Sequence, residues 1–356
     1  MNRTLVNSLG AIKKEIVDFS RSKKFYFAII AMAIVAVVPF LVNNYTVNEV
    51  LAPMLIFAIY ASSWNLLASS GQGSLGHAAF LGIGGFVSAL IASNTIIPPI
   101  IGLFLGSLFS AAIGFLVGLT CVRLKAWFLA MVTFGFSVII VTIFTIPEID
   151  AITNAVLGFP TPLIADRGLP FYYLTFAIAA VSIFTMYLVM KSKIGLAFKA
   201  IHQNELEAKM VGINTAKYRL IAFVISTFFA GLAGGLYAQS IQYIQVSVFG
   251  AEYSFLPLMM CVIGGLGTIE GPIVGSAIIV AIDSYLPRID PFLNGLLGQD
   301  GLFPLFPAVS NVGSPLRFLG LGLFLLVIVI FAPKGLTPLI KKAYHYLRRN
   351  LTEEKS

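Results

Sequence analysis

The stretch IIPPIIGLFLGSLFSAAIGFLVGLTC (Ile96–Cys121) holds no charged residue, and Arg123 and Lys125 follow it at once. About 20 apolar residues suffice to cross a bilayer core as a helix. A helix is required there because lipid offers an open backbone no hydrogen-bond partner. Within the stretch, Gly102 and Gly106, and Gly114 and Gly118, recur four apart. That spacing lets helix backbones approach closely in lipid. Working outward, similar apolar runs lie near 25–42, 50–67, 75–93, 127–147, 171–190, 218–240, 254–266, 272–286 and 316–333. The expected fold is all-α: a polytopic transmembrane bundle of about ten crossings with glycine-broken helices.

Composition agrees. Of 356 residues, 58% are hydrophobic and 11% charged, with a mean hydropathy of +0.93. A soluble domain carries roughly 25% charged residues. The net charge is +8, and basic residues crowd residues 1–24 and 334–356, beside apolar runs. Anionic lipid and the positive-inside rule explain such flanking charge, and nucleic acid is not an expected partner. Cys121 and Cys261 sit in apolar surroundings without metal-ligand spacing and are expected to be free and buried. The first apolar run is too long for a secretory h-region and lacks a small-x-small cleavage site, so it is expected to be retained.

Charge sets the expected orientation. Lys191, Lys193, Lys199, Lys209, Lys217 and Arg219 load the region after the 171–190 run, whereas Glu148, Asp150 and Asp166 lie before it. The basic side, with both termini, is expected to be cytoplasmic. Residues 254–266 and 272–286 either both cross or form one re-entrant hairpin. The outer loop 287–315, with five prolines, is either a linker or a compact cap.

Three segments interrupt the apolar pattern. In the polar segment 191–217, Glu205, Ala208 and Gly212 have the spacing E-x-x-A-x-x-x-G. Ala208 and Gly212, one turn apart on a helix, would offer a face without bulk for a partner's groove; an ordinary amphipathic loop helix is the plainer alternative. In SSGQGSLGHAAFLGIGG (69–85), six glycines disfavour a continuous helix, and Gln72, Ser74 and His77 bring polarity to the break. A satisfied packing histidine is the plainer account of His77. In VIGGLGTIEGPIVG (262–275), Gly264, Gly265, Gly267 and Glu270 form a second break. Glu270 is either functional or a helix-start carboxylate. Paired interruptions often mark a transporter's substrate route. No G-x-x-x-x-G-K-[ST], H-E-x-x-H or G-x-S-x-G occurs. No catalytic site, metal or cofactor is expected, and the chain is not expected to be an enzyme.

Together these blocks resemble the permeases of branched-chain amino-acid ABC importers, particularly the LivM-type subunit. The resemblance rests on WNLL (64–67) with GQGSLGHAAFLG (71–82), on residues 192–240 with AGLAGGLYA (230–238), on 262–277 and on FAPKGL (331–336), in family order. Two departures lie on the expected outer side: TNAVLG (153–158) replaces a Thr-Gly-Gly-type stretch, and 287–315 is longer than usual. The resemblance implies a permease domain over 25–340, between a cytoplasmic segment 1–24 and a cytoplasmic tail 341–356, in a bacterial inner membrane. It implies a second homologous permease, two ATP-binding subunits on the cytoplasmic side and a soluble substrate-binding protein outside. Glu205, Ala208 and Gly212 would couple to the ATPases. Gln72, Ser74, His77, Gly264, Gly265, Gly267 and Glu270 would border the translocation path. Two other functions stay open: the same architecture importing urea, short amides or another small solute, and a self-contained channel or ion-coupled carrier. Few carboxylates border the spans, which disfavours the last.

Overall fold

The computed structural model describes residues 32–42, 46–124 and 126–285, with scattered positions between 320 and 337. The expected segments 1–24, 287–315 and 341–356 lie outside the described residues, as do 25–31 and half of 316–333.

The described chain is helical throughout except for two short strands. Helices α1 (Ala52–Ala68), α2 (His77–Asn94), α3 (Pro99–Cys121) and α4 (Ala126–Phe144) run up and down in succession. A short α5 (Pro147–Thr153) and strand β1 (Phe159–Pro160) lead into α6 (Leu169–Lys191). Then come α7 (Lys193–Gln203), α8 (Glu205–Met210) and the long α9 (Thr215–Ile241). Strand β2 (Tyr243–Ile244) pairs antiparallel with β1. A 3₁₀ turn (Val246–Phe249), α10 (Ala251–Gly264) and α11 (Glu270–Tyr285) follow. Six of these helices are long and apolar enough to cross a membrane, counting α1 from Glu49 and α4 from Trp127.

Helices α2, α3 and α9 form the tightest unit, held by small residues. A Cβ on Gly84 would overlap the backbone of Gly231, and one on Gly106 would overlap that of Gly84. At the same seam the Ser110 hydroxyl donates to the carbonyls of Phe80 (2.9 Å) and Thr227 (3.0 Å), tying three helices with one side chain. The outward faces of α3 and α4 carry Leu108, Leu116, Met131 and Ile139, all exposed, as a lipid-facing surface requires.

The bundle has two chemically distinct ends. One gathers the α1–α2 connection, α7, α8, the start of α9 and the α10–α11 turn, and it holds Arg123, Lys191, Lys199, Lys209 and Arg219. The opposite end gathers Glu49, Asp166 and Asp283 with Arg167. Residues 32–42 meet the bundle at this acidic end, where Tyr172 and Tyr173 donate to the carbonyls of Val35 (2.7 Å) and Ala36 (2.8 Å).

One expected span changes character. The 254–266 run does not start at the acidic surface. After α9 the chain turns at Gln242 (φ +68°) and dips back, so that Phe249 stacks on Phe86, ten residues into α2, with ring centroids 5.6 Å apart. Ser137 of α4 donates to the Phe249 carbonyl at 2.7 Å. Helix α10 therefore begins inside the bundle. Its 14 residues and the 16 of α11 reach about 21 and 24 Å, less than a bilayer core of about 30 Å.

Candidate functional site

Asn65 joins the two glycine blocks. It lies near the basic end of α1, and its amide nitrogen donates to the Thr268 carbonyl at 2.7 Å while its amide oxygen accepts from Gly267 N–H at 2.9 Å. Its own carbonyl accepts from the Ser69 hydroxyl at 2.8 Å, where the α1–α2 connection starts. Nearby, His77 opens α2 fully buried, its Nε2 3.0 Å from the Ser63 hydroxyl and its ring stacked on Tyr60. Gln72 and Ser74 are also buried: Gln72 Oε1 accepts from Ser70, and the Ser74 carbonyl accepts from the Trp64 indole at 2.7 Å. The breaks at 69–76 and 265–269 are thus turns between consecutive helices, close to the basic end, while Gly82, Gly84 and Gly85 lie within α2. Gly264 serves close packing, since its Cβ would overlap the Gly271 backbone, and Gly265, at φ +126°, supplies backbone that a Cβ on Gly335 would overlap. Glu270 is exposed in the first turn of α11, where the helix dipole favours a carboxylate.

The polar segment forms two helices rather than one, and asparagines mark the boundaries. Asn204 caps α8 by accepting from Leu206 N–H (3.0 Å) and Glu207 N–H (3.4 Å), and Asn214 caps α9 by accepting from Lys217 N–H (3.0 Å). Glu205 begins α8 and binds Lys209 at 2.8 Å and Arg219 of α9 at 2.9 Å. The Lys209 hydrogen bond, followed by the Arg219 and Lys209 charges, holds the Glu205 carboxyl below the usual carboxylate range despite opposing desolvation. Gly212 lies just past the helix at φ +83°, with Ile213 N–H reaching the Ala208 carbonyl and Gly212 N–H that of Lys209, both at 3.0 Å. This is a Schellman closure, which needs a residue tolerant of positive φ. The E-x-x-A-x-x-x-G spacing therefore builds and docks a short helix. The expected smooth face is corrected: Ala208 is buried against the permease body and Gly212 has left the helix. What α8 presents outward is Leu206, Met210 and Val211, each at least 73% exposed.

A cavity of about 500 Å³ opens at the acidic end between α1, α9, α10 and α11. Phe57, Leu256, Met259, Ile279 and Val280 supply its apolar wall, while Glu49, Glu252, Asp283 and Arg167 bring charge to it. Its size falls within the 300–1,000 Å³ usual for small-molecule sites. A second, much smaller cavity of about 20 Å³ lies beside Asn65 and Gly267, against α6.

The family model described as branched-chain amino acid transport system / permease component matches residues 46–290. The chain belongs to this family. Among curated relatives, it is 26% identical over 301 residues to the high-affinity branched-chain amino acid transport system permease protein LivM of Salmonella typhimurium, covering 76% of this chain and 70% of that protein. It is 25% identical over 266 residues to the probable LivM of Methanocaldococcus jannaschii, covering 71% and 72%. It is also 32% identical over 119 residues to the probable LivH permease of that organism, covering 32% and 35%. No solved structure matches the chain. The chain is a multi-pass transport subunit, not an enzyme.

In this permease none of the seven expected path residues lines the large cavity. Gly267 lines the small cavity. Sequence reasoning missed Asn65, although a single amide in an otherwise apolar helix was a usable signal. It also missed Leu206, Met210 and Val211, which read as ordinary core residues of an amphipathic helix. The cavity residues come from four distant helices and share no local pattern.

Proposed function

We propose that this permease forms, with a second homologous permease, the membrane path of an ATP-driven importer for branched-chain amino acids. The match of residues 46–290 to the family carries the proposal. The apolar wall of the large cavity supports the substrate class, because Phe57, Leu256, Ile279 and Val280 offer burial to an aliphatic side chain and little to urea. Two ATP-binding subunits dock on the basic end, which is cytoplasmic by the charge rule. A soluble binding protein delivers solute to the acidic end, and the membrane is a bacterial inner membrane. Taking the turn at Val246–Phe249 with α10 as one broken crossing, and α11 as another, the expected spans 25–42 and 316–333 would bring the six long helices to ten crossings. The permease domain then runs over 25–340, between the cytoplasmic segment 1–24 and tail 341–356.

Coupling passes through α8. Leu206, Met210 and Val211 meet the ATPase, and Glu205 transmits its movement to α9 through Arg219, with Ala208 and Gly212 fixing the helix in place. Gln72, Ser74 and His77, with Gly264, Gly265, Gly267 and Glu270, border the inner end of the route, where Asn65 holds both turns together. ATPase closure would tilt the permease pair between inward-facing and outward-facing states. The test is uptake by proteoliposomes containing the complete importer. ATP-dependent entry of leucine, isoleucine and valine, without urea entry, is expected. Urea uptake with no leucine uptake would overturn the substrate assignment, and uptake by the permease alone under an ion gradient would overturn the importer itself.

A further inference from the structure

We propose that the Tyr237–Tyr253 hydroxyl pair on the wall of the large cavity is a hydrogen-bond donor to the solute and takes a carboxylate oxygen of a branched-chain amino acid. This rests on the cavity being the substrate route proposed above.

The placement of the pair begins with a proline. Pro257 lies inside α10 and has no N–H, so the Tyr253 carbonyl four residues earlier loses its partner within the helix. Tyr60 of α1, fully buried, donates its hydroxyl to that carbonyl at 2.9 Å. The backbone at Tyr253 is thereby pinned to α1 at the cavity wall. On α9, the Tyr237 ring meets the rings of Phe57 and Tyr253 edge-on, with centroids 5.7 and 5.6 Å apart. The two hydroxyl oxygens lie 2.5 Å from each other, and both tyrosines line the cavity.

A tyrosine hydroxyl carries one proton. Two hydroxyls carry two, and the bond between them uses one, whichever oxygen is the donor. Among the described residues, neither hydroxyl has a further hydrogen-bond partner. The second proton is therefore available to a molecule in the cavity. An amino acid with an aliphatic side chain accepts hydrogen bonds only through its carboxylate, since its ammonium has donors alone. The carboxylate then meets the pair, and Phe57, Leu256 and Ile279 remain for the side chain. The pairing also makes the two hydroxyls interchangeable. With either one removed, the other keeps a proton that no internal acceptor takes, so the donor survives. Only removal of both abolishes it.

The experiment reads cavity occupancy in the complete importer, as the leucine concentration that half-protects Met259→Cys, on the same wall, from a membrane-impermeant thiol reagent. Tyr237→Phe and Tyr253→Phe should each shift that concentration less than threefold. The double variant should raise it at least tenfold, the loss of a hydrogen bond to a charged group, while subunit retention and ATPase rate hold. A purely structural pair behaves differently, because either single change already breaks its bond. Single variants as weak as the double variant would overturn the proposal, and so would a double variant protected like the parent. If the double variant fails to assemble, 3-fluorotyrosine, a stronger donor, at position 253 of the Tyr237→Phe chain takes its place. Half-protection at lower leucine concentration is then expected, and an unshifted value would overturn the proposal. A parent importer that transports leucine without leucine protection of the thiol would instead overturn the cavity route on which the pair's role rests.

Discussion

The α2–α3–α9 trunk and the α10–α11 hairpin are built from the same residue types but pack differently. In the trunk, glycines and serines bring backbones into contact, and Ser110 bridges two neighbours at once. On the hairpin side, short helices begin inside the bundle or stop short of full span, and bulky Phe, Met and Ile side chains leave a cavity of about 500 Å³. A close-packed seam resists change in either direction because interiors tolerate neither voids nor excess volume. Although α10 and α11 are close-packed on each other through Gly264 and Gly275, their face toward the cavity is loosely filled and can shift at lower cost. The trunk is therefore the stiffer of the two, and the proposed solute route lies on the hairpin side.

The largest expected effect breaks the frame. Gly84→Leu or Gly231→Leu should cost at least about 3 kcal/mol by overpacking, read as loss of folded permease in detergent by thermal unfolding. Next, Val280→Trp puts similar bulk into the cavity. Leucine uptake should fall more than tenfold, with a stability loss smaller than in the trunk variants because the cavity takes up the added volume. Equal destabilisation by both kinds of variant would erase the contrast between trunk and hairpin.

Smaller effects concern α8. Glu205→Ala leaves the largely buried Arg219 guanidinium without its carboxylate and should cost about 1–2 kcal/mol, the exposed Lys209 arm adding little. ATP hydrolysis should persist while uptake falls. Because Glu205 titrates below its ordinary range, its contribution is complete above the unfolded carboxylate pKa of about 4.3 and is lost only as pH falls through the lower folded value. Coupling should therefore show no Glu205-dependent change between pH 5 and 8, measured as the uptake-to-hydrolysis ratio. Gly212→Ala should be the mildest change, about 1 kcal/mol from the positive φ alone, since nothing lies within 4 Å of the added methyl.

Much of this was legible in the sequence, for physical reasons. The runs behind α1 to α4, α6 and α9 are long and nearly uncharged, and only a lipid-spanning helix explains such runs. Glu205 at a helix start and Cys121 and Cys261 as buried free thiols also follow from local chemistry. The break at Gly250 was not legible. Residues 244–256 show neither strand alternation nor a helix face, because Phe249 is held by α2 and α4 rather than by its own neighbours. The glycine blocks read as breaks in the helical pattern because glycine weakens helices, and in the structure their glycines make tight turns and close helix contacts. The roles of Ala208 and Gly212 depended on where α8 ends, and a spacing rule that assumes one continuous helix does not reveal that.

The most direct test of the route is solute protection inside the cavity. Met259→Cys, in the assembled importer, places a thiol on the cavity wall, while the native Cys121 and Cys261 are buried. Labelling with a membrane-impermeant thiol reagent should slow severalfold in saturating leucine and remain unchanged in urea. Equal labelling with and without leucine, in an importer that transports leucine, would contradict a solute route through the hairpin side.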